Sequence, residues 1–221
     1  MLRKLQSFPF SARDKAKVSI IIPCKGNRGF LAQAIESAKR QFYSNTEIIL
    51  SQSGKGVSFN LNKGIKKATG DFIKYLCDDD TLPADSISES VKAIQSGDYD
   101  FIHGMAYNFY EKPEFSCFHT PGCKNPTLQD LMAKNHIHGG TLMYRRDVFE
   151  RFGMFDETLW TAEEFEFNLR LLSMGARIGY CDHILYNYRI HPGQKSIGNK
   201  DAEHRARRSA AIREIKSRYR K

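Results

Sequence analysis

The chain has 221 residues, and its 34 lysines and arginines exceed its 25 aspartates and glutamates to give a formal charge of +9. Residues 1–17 carry a surplus of +4 and residues 200–221 a surplus of +6, so residues 18–199 are close to neutral at −1. Proteins that read nucleic acid carry their basic residues as a patch or stripe across the folded domain. The charge pattern therefore disfavours a globular nucleic-acid-binding protein. It suits contact of the basic ends with an anionic membrane surface, or ordinary solvated tails.

Length and cysteine content narrow the class of protein further. A chain of this length suits one α/β domain that buries a core of its own. No apolar run reaches the ~18 residues that span a bilayer, and residues 1–17 lack the apolar segment of a signal peptide. The five cysteines contain no C-x-x-C pair, which argues against a disulfide framework or a structural zinc. We therefore expect a cytoplasmic protein, peripheral at the inner face of the membrane if its basic ends bind there.

The first part of the chain alternates β-branched runs with helical periodicity. The expected strands and helices, in chain order, are strand 18–22, helix 30–41, strand 47–50, helix 60–68 and strand 71–76. This β-α-β-α-β order predicts parallel strands with helical crossovers. Ligands bind such sheets at the carboxyl ends of the strands. Segments 23–27, 51–56 and 77–80 fall at those ends, so we expect a binding site there.

The second part of the chain continues the α/β pattern with more irregular connections. The expected elements are a helix at 85–96, a strand at 100–108, an irregular loop at 111–126, a helix at 127–135 capped by Thr127, a strand at 140–144, a helix at 163–175, a strand at 184–189 and a basic helix at 201–219. The fold class expected is a Rossmann-like α/β protein, with a mostly parallel central sheet and helices on both faces.

Three adjacent aspartates, Asp78 to Asp80, follow the third strand directly. Carboxylates this close repel one another unless a cation lies among them. Oxygen ligands of this kind suit Mg²⁺ or Mn²⁺, which usually also bind substrate phosphates. The alternative for the triplet alone is a solvated acidic turn in which Asp80 caps the next segment.

Two further groups of polar residues allow either a structural or a chemical role. Glu163 and Glu164 begin a predicted helix, where acidic residues complement the helix dipole or can supply a general base. His138, in the segment HIHGG, and His191, in YRIHP, are either packed histidines or ligands. The chain has no Walker loop, nucleophile elbow or G-x-G-x-x-G motif.

In combination, these segments resemble the family 2 glycosyltransferases of the GT-A fold over residues 17–198. The matching segments are VSIIIP at 18–23 with FLAQAIES at 30–37, YSNTEIIL at 43–50, NKG at 62–64 with TGDFI at 69–73, LCDDDTLP at 76–83, GTLMYRRDVF at 140–149 with FGMFDE at 152–157, AEE at 162–164 with NLR at 168–170, and YRIH at 188–191. Each match is weak alone, but their order along the chain makes the resemblance specific. It divides the chain into a basic extension at 1–16, a GT-A domain at 17–198 and a basic helix at 199–221.

The resemblance implies inverting transfer of a sugar from a nucleotide-sugar donor to a hydroxyl acceptor, in assembly of cell-envelope polysaccharide or lipid-linked glycan. It implies that Glu164, of the pair Glu163 and Glu164, is the general base. The implied ligands of a Mn²⁺ or Mg²⁺ ion are Asp78, Asp79, Asp80 and His191. The implied donor-binding residues are Pro23, Lys25, Ser51, Gln52, Asn62 and Lys63. The implied acceptor-binding residues are His138, Gly139, Gly140 and Trp160.

The sequence also departs from the family pattern. Lys25 and Gly26 stand where the family has Tyr-Asn, and Cys77 aligns with the first aspartate of the metal motif. These changes leave a second hypothesis, a non-catalytic GT-A-like binding or scaffold protein with a decayed donor pocket. A third, RNA binding through residues 201–219, would reveal itself by a steep salt dependence. The expected partners are a nucleotide-sugar donor, a glycan or lipid-linked acceptor and an anionic membrane surface, but no nucleic acid.

Overall fold

The computed structural model describes residues 16–24, 26, 29–110, 115–194 and 201–220. Lys25 and residues 1–15 of the predicted basic extension lie outside the described residues. The strands are β1 (Val18–Cys24), β2 (Thr46–Gln52), β3 (Phe72–Tyr75), β4 (Phe101–Tyr110), β5 (Cys117–His119), β6 (Met143–Arg145) and β7 (Ile178–Ile190). The helices are α1 (Leu31–Lys39), α2 (Val57–Ile65), α3 (Ser86–Gln95), α4 (Leu128–Ala133), α5 (Val148–Arg151), α6 (Glu163–Ser173) and α7 (Ala202–Ser217). None of these helices is both long and apolar enough to cross a membrane.

The strands form a single mixed sheet. β1 lies between β2 and β3 and is parallel to both, and β6 joins β3 to β4 as an antiparallel strand. β7 pairs in parallel along the whole of β4, so β5 must share the opposite edge of β4 with β6. Five strands thus run one way, while β5 and β6 run the other. The predicted mostly parallel α/β sheet is confirmed.

The alternation of side chains along β1 divides the core into two clusters. Ile21 packs with residues of α2, α6 and α7 on one face of the sheet. Val18, Ile20 and Ile22 point to the other face and pack with residues of α1 and α3. Successive residues of a strand face opposite sides, so a run that is apolar at nearly every position needs cover on both. The predicted placement of helices on both faces is confirmed.

Several predicted boundaries were wrong for identifiable reasons. β5 lies within the predicted loop at 111–126, and the capping box of Thr127 and Asp130 begins α4 as expected. β7 begins at Ile178, six residues before the predicted start at 184. A bulge opposite Gly104 and Met105 interrupts its pairing with β4, and this interruption removes the alternation that a sequence pattern needs.

The strand predicted at 140–144 was also wrong. Gly139–Thr141 forms a 3₁₀ turn, and the strand itself is confined to Met143–Arg145. Within the turn, the carbonyl of Gly140 accepts a hydrogen bond from the Lys74 ammonium at 2.8 Å instead of a ladder bond. Lys74 is fully buried on β3, and its Nζ lies 5.6 Å from the centre of the Tyr186 ring. A lysine inside the core therefore fixes the turn that begins at Gly139.

Burial lowers the pKa of Lys74 to about 7, and this predicts how the stability of the protein depends on pH. An unfolded lysine titrates near 10.4, so between about pH 7 and 10 the unfolded state binds more protons. The free energy of unfolding should therefore rise with pH in this window. From pH 7 to 9 we expect this lysine to contribute a rise of about 2 kcal/mol, which Lys74→Met should abolish. Urea unfolding at both pH values measures it.

The exposed Lys134 supplies the control, because Lys134→Met removes the same charge from the surface. That variant should keep the full pH dependence. An equal slope in Lys74→Met and in the wild type would show that the buried lysine does not titrate in this range.

Candidate active site

The carboxyl ends of β1, β2, β3 and β7 lie along one edge of the sheet, because these strands run in the same direction. The antiparallel β6 runs into the sheet from that edge, so the turn Gly139–Thr141 that precedes it also lies there. Three parts of the predicted site therefore meet at this edge. They are the acidic turn (Asp78–Asp80), His191 and the segment at the end of β2 (residues 51–56).

Asp80 is the best-anchored residue of the acidic turn. Its side chain is 1% exposed; one carboxylate oxygen accepts the Tyr186 hydroxyl at 2.8 Å, and the other accepts the amide of Arg189 at 2.7 Å. The Tyr186 hydroxyl also accepts the amide of Cys77 at 3.0 Å. Burial, together with the charge of Asp79, raises the pKa of Asp80 well above its usual range. A cation beside these carboxylates would offset that repulsion.

The structure brings together a set of candidate metal ligands that differs from the predicted one. Cys77, Asp79 and Asp80 each offer a ligand atom, and these atoms all lie within 4.8 Å of one another. Asp78 is not in this group, and Nε2 of His191 contacts Asp79 Oδ2 at 3.2 Å. Two carboxylates and a sulfur suit a divalent cation. Cys77, Asp79 and Asp80 thus form a candidate ligand set, and the predicted set of Asp78, Asp79, Asp80 and His191 stays a prediction.

The end of β7 supports this turn through Arg189, a residue to which no sequence motif assigned a role. Nε of Arg189 donates to the carbonyl of Asp79 at 2.8 Å. The same guanidinium lies over the rings of Phe30 and Phe109, at 4.3 and 4.6 Å from their centres. The Phe30 ring also lies 5.2 Å from the ring of His191. The acidic turn is thus held between α1 and the end of β7.

The predicted catalytic pair begins α6. Ala162 has a left-handed backbone with φ of 59°, and the helix starts at Glu163. A Cβ added to Gly139 would lie 2.6 Å from Cγ of Glu164 and 2.9 Å from the Tyr75 hydroxyl, so Glu164 packs directly over this glycine. Burial, followed by the charge of Glu164, raises the pKa of Tyr75 well above its usual range. Glu164 therefore lies at the end of β3, at the same edge as the acidic turn.

The next carboxylate of α6 has a different role. Glu166 is buried, pairs with Arg170 at 2.9 Å and accepts the hydroxyl of Tyr219 at 2.5 Å. Arg170 in turn donates to the carbonyls of Phe152 and Met154 at 2.7 and 2.8 Å. These contacts tie α6 to the preceding loop and to the chain just after α7. Glu166 is accordingly a structural residue.

Most of the predicted donor-binding residues lie on β1 and β2 or face them. Pro23 pairs with Ser51 in the register of the two strands, and Ser51 is buried. Gln52 ends β2, and its carbonyl accepts the ammonium of Lys63 at 3.2 Å. This places four of the predicted residues around the end of one strand pair.

Asn62 does not join them. Its amide nitrogen donates to the Phe155 carbonyl and to Glu157, both at 2.9 Å, while its oxygen accepts the amide of Phe155 at 3.0 Å. The side chain is 3% exposed. Asn62 therefore anchors the loop before α6, and the donor contact predicted for it stays a prediction.

The predicted acceptor-binding residues fall into two places. His138 lies against Tyr188 at 4.9 Å and His119 at 5.3 Å between ring centres, and burial lowers its pKa to about 3, so the imidazole is neutral. Trp160 instead contacts α7, with Arg207 at 4.6 Å over its ring and His204 at 5.6 Å. The structure thus places Trp160 beside the basic helix, a neighbour that its position in the sequence did not indicate.

Gly140 lies so close to Tyr186 that a substitution tests the support of the acidic turn. A Cβ at this position would come 2.3 Å from the Tyr186 ring. Gly140→Ala should displace this ring and its hydroxyl, loosening Asp80. We expect Mn²⁺-dependent binding of a nucleotide sugar to weaken about tenfold or more, as outer-sphere changes at metal sites do. Calorimetric titration measures it.

The matched control is Gly97→Ala, which would create a comparable clash of 2.6 Å with the Tyr99 ring. Gly97 precedes β4 and so lies at the opposite edge of the sheet. Its substitution should lower stability and spare binding. Equal binding by the Gly140→Ala variant and the wild type would contradict the role given to Tyr186.

Comparison with known proteins finds that the chain is similar to glycosyltransferases. Residues 49–153 match the model of glycosyl transferase family 2. An uncharacterized glycosyltransferase of Rickettsia typhi is 26% identical over 220 residues, which cover 80% of this chain and 65% of that protein. The uncharacterized glycosyltransferase EpsJ of Bacillus subtilis is 25% identical over 214 residues, covering 79% of this chain and 61% of EpsJ. The chain therefore spans less than two thirds of the length of these relatives.

Solved structures agree on the fold. Residues 1–349 of S. aureus TarS in complex with UDP-GlcNAc superpose with a TM-score of 0.67 at 15% identity, covering 90% of this chain and 65% of that one. The same protein in complex with UDP gives a TM-score of 0.65. These likenesses confirm the resemblance drawn from the sequence: the chain has the GT-A fold, and its residues 49–153 carry the pattern of glycosyl transferase family 2.

Proposed function

We propose that the protein is a glycosyltransferase that moves a sugar from a nucleotide-sugar donor to a hydroxyl acceptor. One observation carries the proposal: a carboxylate that can act as a base, Glu164, lies at the same sheet edge as the candidate metal ligands Cys77, Asp79 and Asp80. These are the two parts that the transfer needs. The likeness to TarS, which has been solved with UDP-GlcNAc, supports a nucleotide sugar as the donor class.

A divalent ion, Mn²⁺ or Mg²⁺, held by this ligand group would neutralise the negative charge of the departing diphosphate. Neighbouring residues of the protein hold the carboxylates of this ligand group in place. Tyr186 and Arg189 fix Asp80 through its two oxygens, and His191 contacts Asp79. Pro23, Lys25, Ser51, Gln52 and Lys63 are the residues proposed to contact the nucleotide.

The base is proposed to be Glu164. Its carboxylate would accept the proton of the acceptor hydroxyl as the oxygen attacks the anomeric carbon. Attack from the side opposite the leaving diphosphate inverts the configuration of that carbon. A glycine is needed at position 139, because the Cβ of any other residue would overlap the side chain of Glu164. His138, Gly139, Gly140 and Trp160 are the residues proposed to contact the acceptor.

An acceptor in a cell envelope would bring the protein to an anionic surface. The arginines at positions 205, 207, 213 and 220 of the C-terminal region are exposed, and each basic residue near an anionic surface contributes about 1 kcal/mol. We propose peripheral membrane contact through this region. Cosedimentation with anionic vesicles that weakens as salt is raised would support it, and retention equal to that on neutral vesicles would exclude it.

The function is tested by thermal-shift measurements with UDP-, GDP-, CMP- and dTDP-sugars, each with and without Mn²⁺. A ligand that binds only the folded state raises the melting temperature by mass action. We expect at least one nucleotide sugar to stabilise the protein, and to do so more strongly with the ion. If no donor shifts the melting temperature, the alternative of a non-catalytic GT-A-like scaffold with a decayed donor pocket is favoured.

A further inference from the structure

Cys77 gives the candidate metal site a ligand of different chemistry from its neighbours. Its sulfur lies within 4.8 Å of carboxylate oxygens of both Asp79 and Asp80, so one ion can reach all three side chains. The thiol is partly buried, and it follows β3 directly. A sulfur ligand in a group of carboxylates changes which ions the site selects.

The backbone that carries this thiol is held by hydrogen bonds through both its amide and its carbonyl. The amide of Cys77 donates to the Tyr186 hydroxyl at 3.0 Å, and its carbonyl accepts the amide of Asp80 at 3.2 Å. The same Tyr186 hydroxyl donates to Asp80 at 2.8 Å. One side chain therefore holds both the backbone of Cys77 and the carboxylate of Asp80, which is a form of the preorganisation that a metal site requires.

The other cysteines lie elsewhere. Cys24 is buried at the end of β1, where burial and then the charge of Asp78 raise the pKa of its thiol to about 11. Cys181 is buried on β7, while Cys117 is exposed on β5 and Cys123 follows that strand. Among the described residues, Cys77 is the only cysteine in a candidate metal group.

The chemistry of the ligand set decides the preferred ion. Carboxylate and water ligands suit Mg²⁺ and Mn²⁺, whereas a thiolate favours softer ions such as Zn²⁺, Co²⁺ and Cd²⁺. Binding through sulfur replaces the thiol proton with the metal, and the proton goes to solvent. We propose that Cys77 is a direct metal ligand and that the site selects a thiophilic divalent ion over Mg²⁺. The inference rests on the metal site of the proposed function and adds its selectivity.

Cadmium alone is the probe, because a Cd²⁺–thiolate bond absorbs in the ultraviolet where a Cd²⁺–carboxylate bond does not. Titration of the reduced protein with Cd²⁺ should produce this charge-transfer absorption in the wild type. The absorption should be lost in Cys77→Ser, which keeps the size of the side chain. It should persist in Cys117→Ser, the control that removes an exposed cysteine outside the site.

A second variant guards against a folding defect in Cys77→Ser. Cys77→Asp supplies an oxygen ligand instead of sulfur, so the ratio of Cd²⁺ to Mg²⁺ affinity should fall at least about tenfold, the scale of even an outer-sphere change. Both affinities are measured by calorimetry on the folded variant. A wild type without the absorption, an absorption that survives in Cys77→Ser, or an unchanged affinity ratio in Cys77→Asp would each overturn the proposal.

These results are separable from the proposed function. Nucleotide-sugar binding that depends on Mn²⁺, together with no thiolate absorption, would retain the glycosyltransferase proposal and overturn the role of Cys77. Thiolate absorption with no binding of any nucleotide sugar would support the metal ligand and contradict the transferase. The two measurements use the same protein preparation and need no turnover.

Discussion

Replacing Glu164 with glutamine is expected to lower kcat roughly 10²–10⁴-fold, the usual contribution of a general base. Glutamine fills the same space over Gly139 but cannot accept the acceptor proton at its amide. The affinity for the nucleotide sugar should stay within a factor of about two, because Glu164 is assigned to the acceptor and not to the diphosphate. Steady-state kinetics and donor titration on the same sample measure both quantities.

Glu163→Gln is the matched control, since it alters the neighbouring carboxylate of the same helix turn. It should retain most of the turnover. If instead Glu163→Gln abolishes turnover and Glu164→Gln does not, the two residues have been assigned the wrong way round. Glu166 is unsuitable as a control, because its bonds to Arg170 and Tyr219 make it structural.

Asp79→Asn is expected to reduce Mn²⁺-dependent binding of the nucleotide sugar by about a hundredfold or more, the upper range for disturbing a metal site even outside its ligands. The amide keeps the size of the side chain but removes the charge that balances the ion. Binding measured without a divalent ion should change little. Calorimetry with and without Mn²⁺ distinguishes the two effects.

Asp78 provides the internal comparison, because it is adjacent in sequence but outside the group of candidate ligands. Asp78→Asn should weaken ion-dependent binding far less than Asp79→Asn. Equal losses in the two variants would favour the ligand set predicted from the sequence, in which all three aspartates take part. No loss in either variant would exclude the metal site.

The parts of the fold that the sequence predicted are those that local pattern determines. β1 is a run of β-branched residues that must be covered on both faces, and α1 and α2 show a helical period between strands. The order of these elements then places the carboxyl ends of β1 to β3 side by side. The acidic turn and the pair at Glu163 are accordingly visible in the sequence alone.

The features that the sequence did not predict depend on contacts between distant segments. Tyr186 reads as an ordinary apolar residue of β7, yet its hydroxyl joins Cys77 to Asp80 across the sheet. Lys74 lies within a strand-like run, where only burial shows that it supports the turn at Gly140. The choice between Cys77 and Asp78 as a ligand likewise depends on the direction of side chains at a turn, which spacing does not fix.

The C-terminal helix α7 was predicted only in part, because its docking on the domain was not expected. Its sequence indicated a basic helix with a weak apolar stripe. One residue of this stripe, Ile215, is completely buried in the core of the domain. Beside it, Lys216 donates to the carbonyl of Ala133 at 3.3 Å. Arg218 pairs with Asp156 at 2.9 Å. The helix is thus attached to the domain along one side.

Because α7 is attached to one side of the domain, the positive charge of residues 200–221 is concentrated on that side. One side of α7 packs on the domain, while Arg205, Arg207 and Arg213 of the helix are exposed and residues 18–199 carry almost no net charge. A charge displaced from the centre of the molecule makes it an electric dipole, and a dipole turns in the field of a charged surface before contact is made. The charge of residues 200–221 would therefore orient encounters with a polyanion so that α7 faces it. Trp160, whose ring lies beneath the guanidinium of Arg207, would face the polyanion on that same side.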